Sequence, residues 1–353
     1  LPLHFHWNKT ASFNLHRLPL EYRQAHFLEA HRRFMPEHSF EPIRGNFERF
    51  SFTSPSLNNQ LGDPIEREVL VHIPPNSNGP MPCIIYLAPF TGTGFARANW
   101  KAFAETLPQR HERLVKERKM PPSILVMPDT FTSLGGNQFI DSETMGKWGS
   151  WLREDLRSEL DSRFNISGYG LVGKSSGGYG ALVRGMLDDC WDAIACHSGD
   201  CGFELLFGIE MATTLTEIMP HGGVEQFLEY VKQTSSLKGD DFHTLMMLAM
   251  AATYSDGTLP VDENCKFDDE KWAEWKSWDP LTMIEDHQDL PPCWIDVGDS
   301  DQYNIQYGLR QLHKRMTELD IEHEWEEFPG THSGIDHRLD LSLPWIASRI
   351  PNN

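Results

Sequence analysis

Short apolar segments alternate with longer amphipathic segments along most of this 353-residue chain, and this alternation constrains its fold more than any other feature. The apolar segments are typical of strands buried on both faces, and they lie at residues 83–88, 124–127, 169–172, 193–197 and 293–297. Residues 66–74 and 323–328 predict two further strands. Buried strands that alternate with helices form a mostly parallel sheet with helices on both faces, so we predict an α/β fold.

Helical periodicity is clearest at residues 148–164. Apolar side chains recur there every three or four positions, at Trp148, Trp151, Leu152, Leu156, Leu160 and Phe164. Further helices are predicted at residues 100–116, from 176 to about 187, at 303–319 and from 338 onward.

The chain divides into an N-terminal extension, residues 1–43, and one α/β domain, residues 44–353. The extension is rich in Pro, His and Arg, and residues 21–34 predict one short helix in it. Residues 201–290 contain helical patterns at 223–232, 242–252 and 271–278 but no convincing strand. Because a sheet crossover does not need so long a connection, we predict an inserted helical cap that shapes a substrate cleft. A simple packing extension is the alternative.

The chain carries 51 acidic and 31 basic residues, for a formal net charge of −20. Such a surface repels phosphate backbones and anionic lipids, so we expect neither nucleic-acid nor membrane binding. The longest apolar run lies around residues 245–252 and is well short of the roughly 18 residues that a membrane span needs. No intact signal peptide is recognisable at the first residues, so we expect a cytoplasmic protein, with a cleaved leader as the open alternative.

The six cysteines form neither a CxxC pair nor the Cys/His spacing of a zinc site. We expect free thiols, many of them buried as small apolar side chains, with a Cys196 to Cys201 bridge as the alternative. Because no other His, Asp or Glu grouping has metal-ligand spacing, no metal or cofactor is expected.

A glycine-rich turn, Gly-Lys-Ser-Ser-Gly-Gly at residues 173–178, joins a predicted strand to a predicted helix. A nucleophile on a tight turn of this kind leaves no room for side chains two positions before and after it, which fits Ser175 with Gly173 and Gly177. A glycine-rich turn of another α/β fold is the alternative. It is not a phosphate-binding loop, because the single Lys174 lies before the serine pair.

A serine hydroxyl needs an adjacent base, and the base needs a carboxylate that holds its orientation. The strand at 293–297 runs into an acidic loop with Asp301, and the strand at 323–328 runs into a loop with His332. Carboxyl ends of parallel strands share one edge of a sheet, so these loops should meet the Ser175 turn. The chain order Ser175, Asp301, His332 is the order typical of an α/β-hydrolase.

Other residues compete for these roles. Asp299 is the alternative acid, but Asp301 lies farther along the loop and has more reach. His337 is the alternative base, although it lies at the entrance to the last predicted helix. His197 also ends a strand, and we interpret it as a packed or rim residue.

An acyl-transfer intermediate needs backbone N–H groups that bind its oxyanion. One donor is expected to be Ser176, at the positive end of the helix that follows. The other should come from the loop after the strand at 83–88. Pro89 has no N–H, so Phe90 is the expected donor and Thr91 the alternative.

Taken together, these motifs resemble the Putative esterase family of α/β-hydrolases, which includes esterase D, feruloyl esterases, enterochelin esterases and mycolyltransferase antigens. The matching segments are 90–94, 127–129, 135–138, 173–180, 197–200, 298–304 and 330–336. The resemblance implies an α/β-hydrolase fold with Ser175 as nucleophile, Asp301 as acid and His332 as base. This chain has Ala88-Pro89 where many relatives have His-Gly, and Ser176 where many have Met.

These residues predict a serine carboxylic-ester hydrolase that forms an acyl-enzyme on small or medium esters. Acyl transfer or thioester hydrolysis on the same triad is the alternative, and a non-catalytic binding protein with the same fold is a more remote one. Asn137, Gln138 and Asp200 lie in loops expected to rim the site, and they are candidate substrate contacts. Hydrogen bonds that only stabilise those loops are the alternative for them.

Overall fold

The computed structural model describes residues 40–351, in which an eight-stranded sheet is the central element. Its strands are β1 (Asn46–Thr53), β2 (Glu66–Ile73), β3 (Met81–Leu87), β4 (Ile124–Pro128), β7 (Ile166–Lys174), β8 (Ala193–His197), β9 (Cys293–Gly298) and β10 (Glu324–Phe328). They are arranged in the order β1-β2-β4-β3-β7-β8-β9-β10. The five strand pairs from β4 to β10 are parallel, and β2 pairs antiparallel with β1 and β4. The predicted mostly parallel sheet is confirmed.

Two short strands lie outside that sheet, and one strand of the sheet was not predicted. β5 (Asp141–Ser142) and β6 (Gly146–Lys147) pair only with each other. The unpredicted strand is β1, most of whose residues are exposed because it forms the edge of the sheet and pairs only with β2. An edge strand buries little apolar surface, so its sequence lacks the continuous apolar run that marks β4.

Helices cover both faces of the sheet. They are α1 (Leu107–Lys116), α2 (148–163), α3 (Ser176–Leu187), α4 (Phe203–Leu206), α5 (Met211–Ile218), α6 (Val224–Gln233), α7 (Gly239–Tyr254), α8 (Asp269–Ser277), α9 (Pro280–Met283), α10 (Ile305–Glu318) and α11 (Leu339–Ala347). Leu114 of α1 and Leu343 of α11 belong to the core on one face. Leu152 of α2, Leu182 of α3 and Leu309 of α10 belong to the core on the other face.

Two predicted helices differ in detail from those observed. The helix expected from residue 100 begins only at Leu107, because Thr106 caps it: the Thr106 hydroxyl accepts from the Gln109 amide, and the Gln109 side chain accepts from the Thr106 amide. The helix expected at 148–164 is continuous, but its middle section, Trp151–Leu156, is π-helical. Five of the six residues of its apolar stripe are buried, and the sixth, Phe164, is half-buried just after the helix ends.

Helices α4 to α9 occupy the interval between β8 and β9, and no strand of the main sheet lies in that interval. The interval is anchored to the sheet domain by aromatic packing. Tyr179 of α3 contacts Phe203 and Tyr254, and its hydroxyl donates to the Trp278 carbonyl at 3.0 Å. The helical character predicted for residues 201–290 is therefore observed.

Residues 42–100 and 106–351 form the compact unit that contains the sheet. The helix predicted at 21–34 and most of the predicted extension lie outside the described residues. All six cysteines are free thiols, so the alternative Cys196 to Cys201 bridge is not formed. Among residues 40–351, none of the helices is long and apolar enough to cross a membrane.

Because two histidines are buried, we expect the free energy of unfolding to decrease at acidic pH. The Nδ1 atoms of His72 and His111 lie 3.0 Å apart, and His111 Nε2 lies 2.7 Å from the Ser123 hydroxyl. Burial lowers the pKa of both histidines, and the nearby Glu112 only partly opposes this lowering for His72. Unfolding therefore adds protons once the pH falls below about 6.5, and each histidine then destabilises the fold by at most about 1.4 kcal/mol per pH unit.

Urea unfolding between pH 7.5 and pH 5.5 measures this effect. We expect the free energy of unfolding to fall with pH in the native chain, and to fall less in the double variant His72→Gln/His111→Gln. The exposed His337 provides a control, since His337→Gln should keep the native slope. Equal slopes in all three proteins would contradict the assignment.

Candidate active site

Five adjacent parallel strands bring candidate site residues to the same edge of the sheet. In spatial order these strands are β3, β7, β8, β9 and β10. The residues that follow their carboxyl ends are Phe90, Ser175, Asp200, Asp301 and His332, respectively. The carboxyl edge of a parallel sheet is where α/β folds bind ligands.

Ser175 occupies a strained turn between β7 and α3. Its φ and ψ are 57° and −127°, a conformation that a residue with a side chain rarely adopts. A Cβ atom on Gly173 would lie 2.1 Å from the Gly177 oxygen, and one on Gly177 would lie 2.0 Å from the Leu87 oxygen. Glycine is thus required on both sides of Ser175 for the steric reason anticipated from the sequence.

His332 is held by Asp301 through a buried hydrogen bond. Its Nδ1 lies 2.8 Å from Asp301 Oδ2, and the other carboxylate oxygen accepts the Tyr303 amide at 2.9 Å. The Gln302 side chain also accepts the His332 amide at 3.0 Å, which fixes the loop after β10. With Nδ1 bound to a carboxylate, Nε2 is the nitrogen available for proton transfer.

Ser175 and His332 line one cavity of about 440 Å³. Among the described residues, the His332 side chain makes its hydrogen bond to Asp301 and makes no direct one to Ser175. Hydrogen bonds of catalytic groups are often long without substrate and shorten in the complex. A larger hollow of about 650 Å³ lies near the opposite ends of β9 and β10, where Cys293 and Glu324 line it. Neither Ser175 nor His332 lines this hollow.

The alternative acid and bases have other partners. Asp299 accepts the Gly330 amide at 3.2 Å and the Ser300 hydroxyl at 3.0 Å, so it joins two loops and does not bond His332. His337 is exposed and its ring packs against Phe328.

His197 is buried, as the packed-residue interpretation anticipates. Its Nδ1 lies 2.6 Å from Asp296 and its Nε2 lies 2.8 Å from Ser342. Its carbonyl accepts the Ser175 amide at 3.0 Å and so supports the strained turn.

Two backbone amides beside Ser175 are available to bind an anion. The Ser176 amide opens α3, and no backbone or side-chain oxygen of residues 40–351 accepts from it or from the Phe90 amide. The Thr91 amide, by contrast, donates to the Gly135 carbonyl at 2.7 Å. Of the two amides considered in this loop, the Phe90 amide is therefore the one without a partner in the described chain.

The three candidate substrate contacts differ in their positions. Asn137 donates to the Thr130 carbonyl at 2.7 Å and accepts the Phe139 amide at 2.8 Å, so both ends of its side chain stabilise the loop. Gln138 is buried and donates toward Asp200 and the Ser176 hydroxyl, each at 3.1 Å. Asp200 alone of the three lines the cavity.

The cavity also has an apolar wall that sequence reasoning did not find. Leu206, Phe207, Phe242 and Met246 contribute it from residues 203–254, and Ile305 adds to it from α10. The helical periodicity of α7 was visible in the sequence, but periodicity does not reveal which turn of a helix faces a cavity. Sequence reasoning also missed Tyr303, which lies in the turn before α10 and whose ring meets that of His332 edge-on.

Burial shifts the pKa of two charged groups at the cavity. It raises the pKa of Asp200 to about 7, with repulsion from Asp301 acting in the same direction and the Gln138 hydrogen bond and Lys174 opposing it. Burial lowers the pKa of Lys174, which also lines the cavity. Within residues 40–351, no three His, Cys, Asp or Glu side chains are grouped as metal ligands.

Several of the solved structures similar to this chain are esterases or other hydrolases. A ferulic acid esterase is 15% identical, with 88% of this chain and 100% of that chain covered and a TM-score of 0.54. An S-formylglutathione hydrolase from Agrobacterium tumefaciens is 16% identical, with 88% and 98% covered and a TM-score of 0.54. Brefeldin A esterase, a bacterial homologue of human hormone sensitive lipase, is 16% identical, with 96% and 87% covered and a TM-score of 0.53. At such identities the similarity establishes the α/β-hydrolase fold.

No curated protein sequence matches this chain significantly. The family described as Putative esterase, however, matches residues 64–343. This range includes strands β2 to β10 and every residue that lines the 440 Å³ cavity. The chain therefore belongs to the Putative esterase family, and it is an ester hydrolase with the α/β-hydrolase fold.

Proposed function

We propose that this protein is a serine carboxylic-ester hydrolase in which Ser175 is the nucleophile, His332 the general base and Asp301 the residue that orients His332. One observation carries the proposal. Ser175 stands on a strained strand-to-helix turn in the same cavity as a histidine whose Nδ1 is held by a buried carboxylate. Nucleophile, base and orienting acid are the parts that acyl transfer through a serine requires.

The reaction follows from these roles. The Ser175 hydroxyl attacks the ester carbonyl carbon while His332 Nε2 accepts its proton, and Asp301 stabilises the imidazolium that forms. The amides of Phe90 and Ser176 donate hydrogen bonds to the oxyanion of the tetrahedral intermediate. Collapse breaks the ester C–O bond and the leaving alcohol takes the proton from His332. Water then attacks the acyl-enzyme by the same steps, which releases the acid and regenerates Ser175.

The helices between β8 and β9 complete the site in this proposal. Residues 201–290 act as a cap whose side chains form the apolar side of the cavity, which is supported by Leu206, Phe207, Phe242 and Met246. The catalytic groups come from the rest of the domain, which spans residues 44–353 with the cap included. A small-molecule ester of modest size suits the cavity, since about 440 Å³ lies in the lower part of the range typical of ligand pockets.

A fluorophosphonate probe tests the proposal directly, because it reacts with an activated serine. We expect one label per chain, on the peptide that contains Ser175, and no label on Ser175→Ala. Ser300→Ala is the matched control, since Ser300 is exposed on a neighbouring loop and should leave labelling intact. Labelling that persists in Ser175→Ala would overturn the assignment of the nucleophile.

Product analysis distinguishes hydrolysis from acyl transfer on the same triad. With p-nitrophenyl butanoate and added glycerol, we expect free butanoic acid as the main product. Glyceryl butanoate as the main product would identify a transferase instead.

A further inference from the structure

Asp200 is a buried carboxyl group at the wall of the cavity, in a position that the catalytic steps above do not use. It follows β8 by three residues, is 6% exposed, and lines the same cavity as Ser175 and His332. A carboxyl group removed from water is costly unless hydrogen bonds or charges compensate for the lost hydration. The partners of its two oxygens therefore indicate what the group is for.

Within residues 40–351, only one of the two carboxylate oxygens has a hydrogen-bond partner. Asp200 Oδ2 accepts from Gln138 Nε2 at 3.1 Å, and the same Gln138 nitrogen lies 3.1 Å from the Ser176 hydroxyl and 3.0 Å from the Met250 sulfur. Asp200 Oδ1 has no hydrogen-bond partner among residues 40–351, and it is not fully buried. It therefore remains accessible at the cavity that Asp200 lines.

The immediate surroundings of Asp200 contain more acceptors than donors. Gln138 is 1% exposed, and its Oε1 is buried without a hydrogen-bond partner in the described chain. The single Gln138 Nε2 is shared by three acceptors, so it has no capacity for another. A buried cluster short of donors is completed when a ligand supplies one.

We propose that Asp200 binds a hydroxyl or ammonium group of the ester substrate and thereby determines substrate specificity; this inference rests on the proposed role of Ser175. The substrate class is an ester whose apolar part lies against Phe207, Phe242 and Met246 and which carries one hydrogen-bond donor within reach of Asp200. A hydrogen bond to a charged, buried acceptor is among the stronger kinds, and an ester without the donor would leave the carboxylate unpaired. Discrimination against that ester follows from this loss.

Matched pairs of esters test the proposal. On the acyl side, p-nitrophenyl butanoate is compared with its 3-hydroxy and 3-amino derivatives. On the alcohol side, propyl acetate is compared with the monoacetates of 1,3-propanediol and of 3-amino-1-propanol. In the native protein we expect at least one donor-bearing ester to exceed its plain partner in kcat/KM by about 10- to 100-fold. The pair that responds shows whether the donor is a hydroxyl or an ammonium group, and on which side of the ester it lies.

The variant Asp200→Asn keeps an oxygen for Gln138 but removes the negative charge. We expect it to reduce the responding ratio to near one, because the contact that separates the two esters of the pair is lost. Asp200→Ser is a second variant, which removes the carboxyl group with a smaller side chain, and thermal unfolding establishes that each variant is folded. The control is Asp240→Asn, the same change at an exposed position of α7, and it should keep the native ratio.

The ratio should also rise with pH. Because burial places the pKa of Asp200 at about 7, the carboxylate that binds the donor forms between about pH 6 and pH 8. Titration of the triad acts equally on both esters of a pair and cancels in the ratio. The other charged or titratable groups of residues 40–351 that line the cavity or act on this carboxyl are Lys174, His243, Asp301, Tyr303 and His332. In Asp200→Asn the ratio should not vary with pH over this interval.

The possible failures are distinguishable. If the native protein neither hydrolyses any of these esters nor reacts with fluorophosphonate at Ser175, the proposed function fails and this inference with it. If Ser175 is labelled and plain esters are hydrolysed, but every ratio is near one or survives Asp200→Asn, only the role of Asp200 is overturned.

Discussion

Replacing Ser175 with alanine is expected to lower kcat for p-nitrophenyl acetate by a factor on the order of 10⁶, as removal of the nucleophile does in other serine hydrolases. Alanine keeps the Cβ atom and hence the steric demands of the turn at φ 57°, so the fold should be retained. What is lost is the hydroxyl that forms the acyl-enzyme. The activity that remains should be the small acceleration that the oxyanion donors provide without a nucleophile.

Steady-state release of p-nitrophenol, followed with purified Ser175→Ala at high enzyme concentration, measures this loss. Ser300→Ala provides the comparison, because it removes an exposed hydroxyl and should retain native kcat within about twofold. A Ser175→Ala protein that keeps more than about a hundredth of native kcat, with the same circular dichroism spectrum, would contradict the proposed mechanism.

Replacing Asp301 with asparagine is expected to lower kcat by about 10⁴-fold, because an amide no longer stabilises the imidazolium and can favour the wrong tautomer of His332. The side chain has nearly the same shape, and its oxygen can still accept the Tyr303 amide, so the loop after β9 should persist. The effect should appear in kcat rather than in KM, since Asp301 acts on the histidine and is 3% exposed.

Asp299→Asn is the matched control for this prediction. Asp299 lies two residues earlier in the same loop and accepts hydrogen bonds from Gly330 and Ser300, not from His332. We expect Asp299→Asn to retain kcat within about tenfold. A larger loss of kcat in Asp299→Asn than in Asp301→Asn would show that Asp301 is not the carboxylate that orients His332 in catalysis.

Much of the fold could be predicted from the sequence, because a strand that is buried on both faces of a sheet consists of consecutive apolar residues. Strands β4 and β8 consist of consecutive buried residues, and both were recognised as apolar runs. The edge strand β1 was missed because most of its side chains are exposed and its amides bond only to β2. The late start of α1 was missed because the capping pair Thr106 and Gln109 competes with an apolar pattern that extends farther back.

The candidate site could be predicted from the sequence only where a steric constraint acts between residues close together in the chain. The turn around Ser175 forbids side chains at Gly173 and Gly177, so steric exclusion by neighbouring backbone leaves a recognisable pattern. Asn137 shows the limit of that approach. Its place in a loop near the site suggested a substrate contact, whereas its amide is used by Thr130 and Phe139.

The amino-acid sequence by itself determined the alternation of strands and helices and the strained serine turn, since both arise from the sizes and polarities of residues close together in the chain. The tertiary structure alone decided that His332 bonds Asp301 rather than Asp299, and that Asp200 but not Asn137 lines the cavity. It also decided which side chains of residues 203–254 and of α10 form the apolar wall. These facts depend on distances between segments that the sequence separates by thirty residues or more, and such distances are set by how helices and strands pack, which no local pattern encodes.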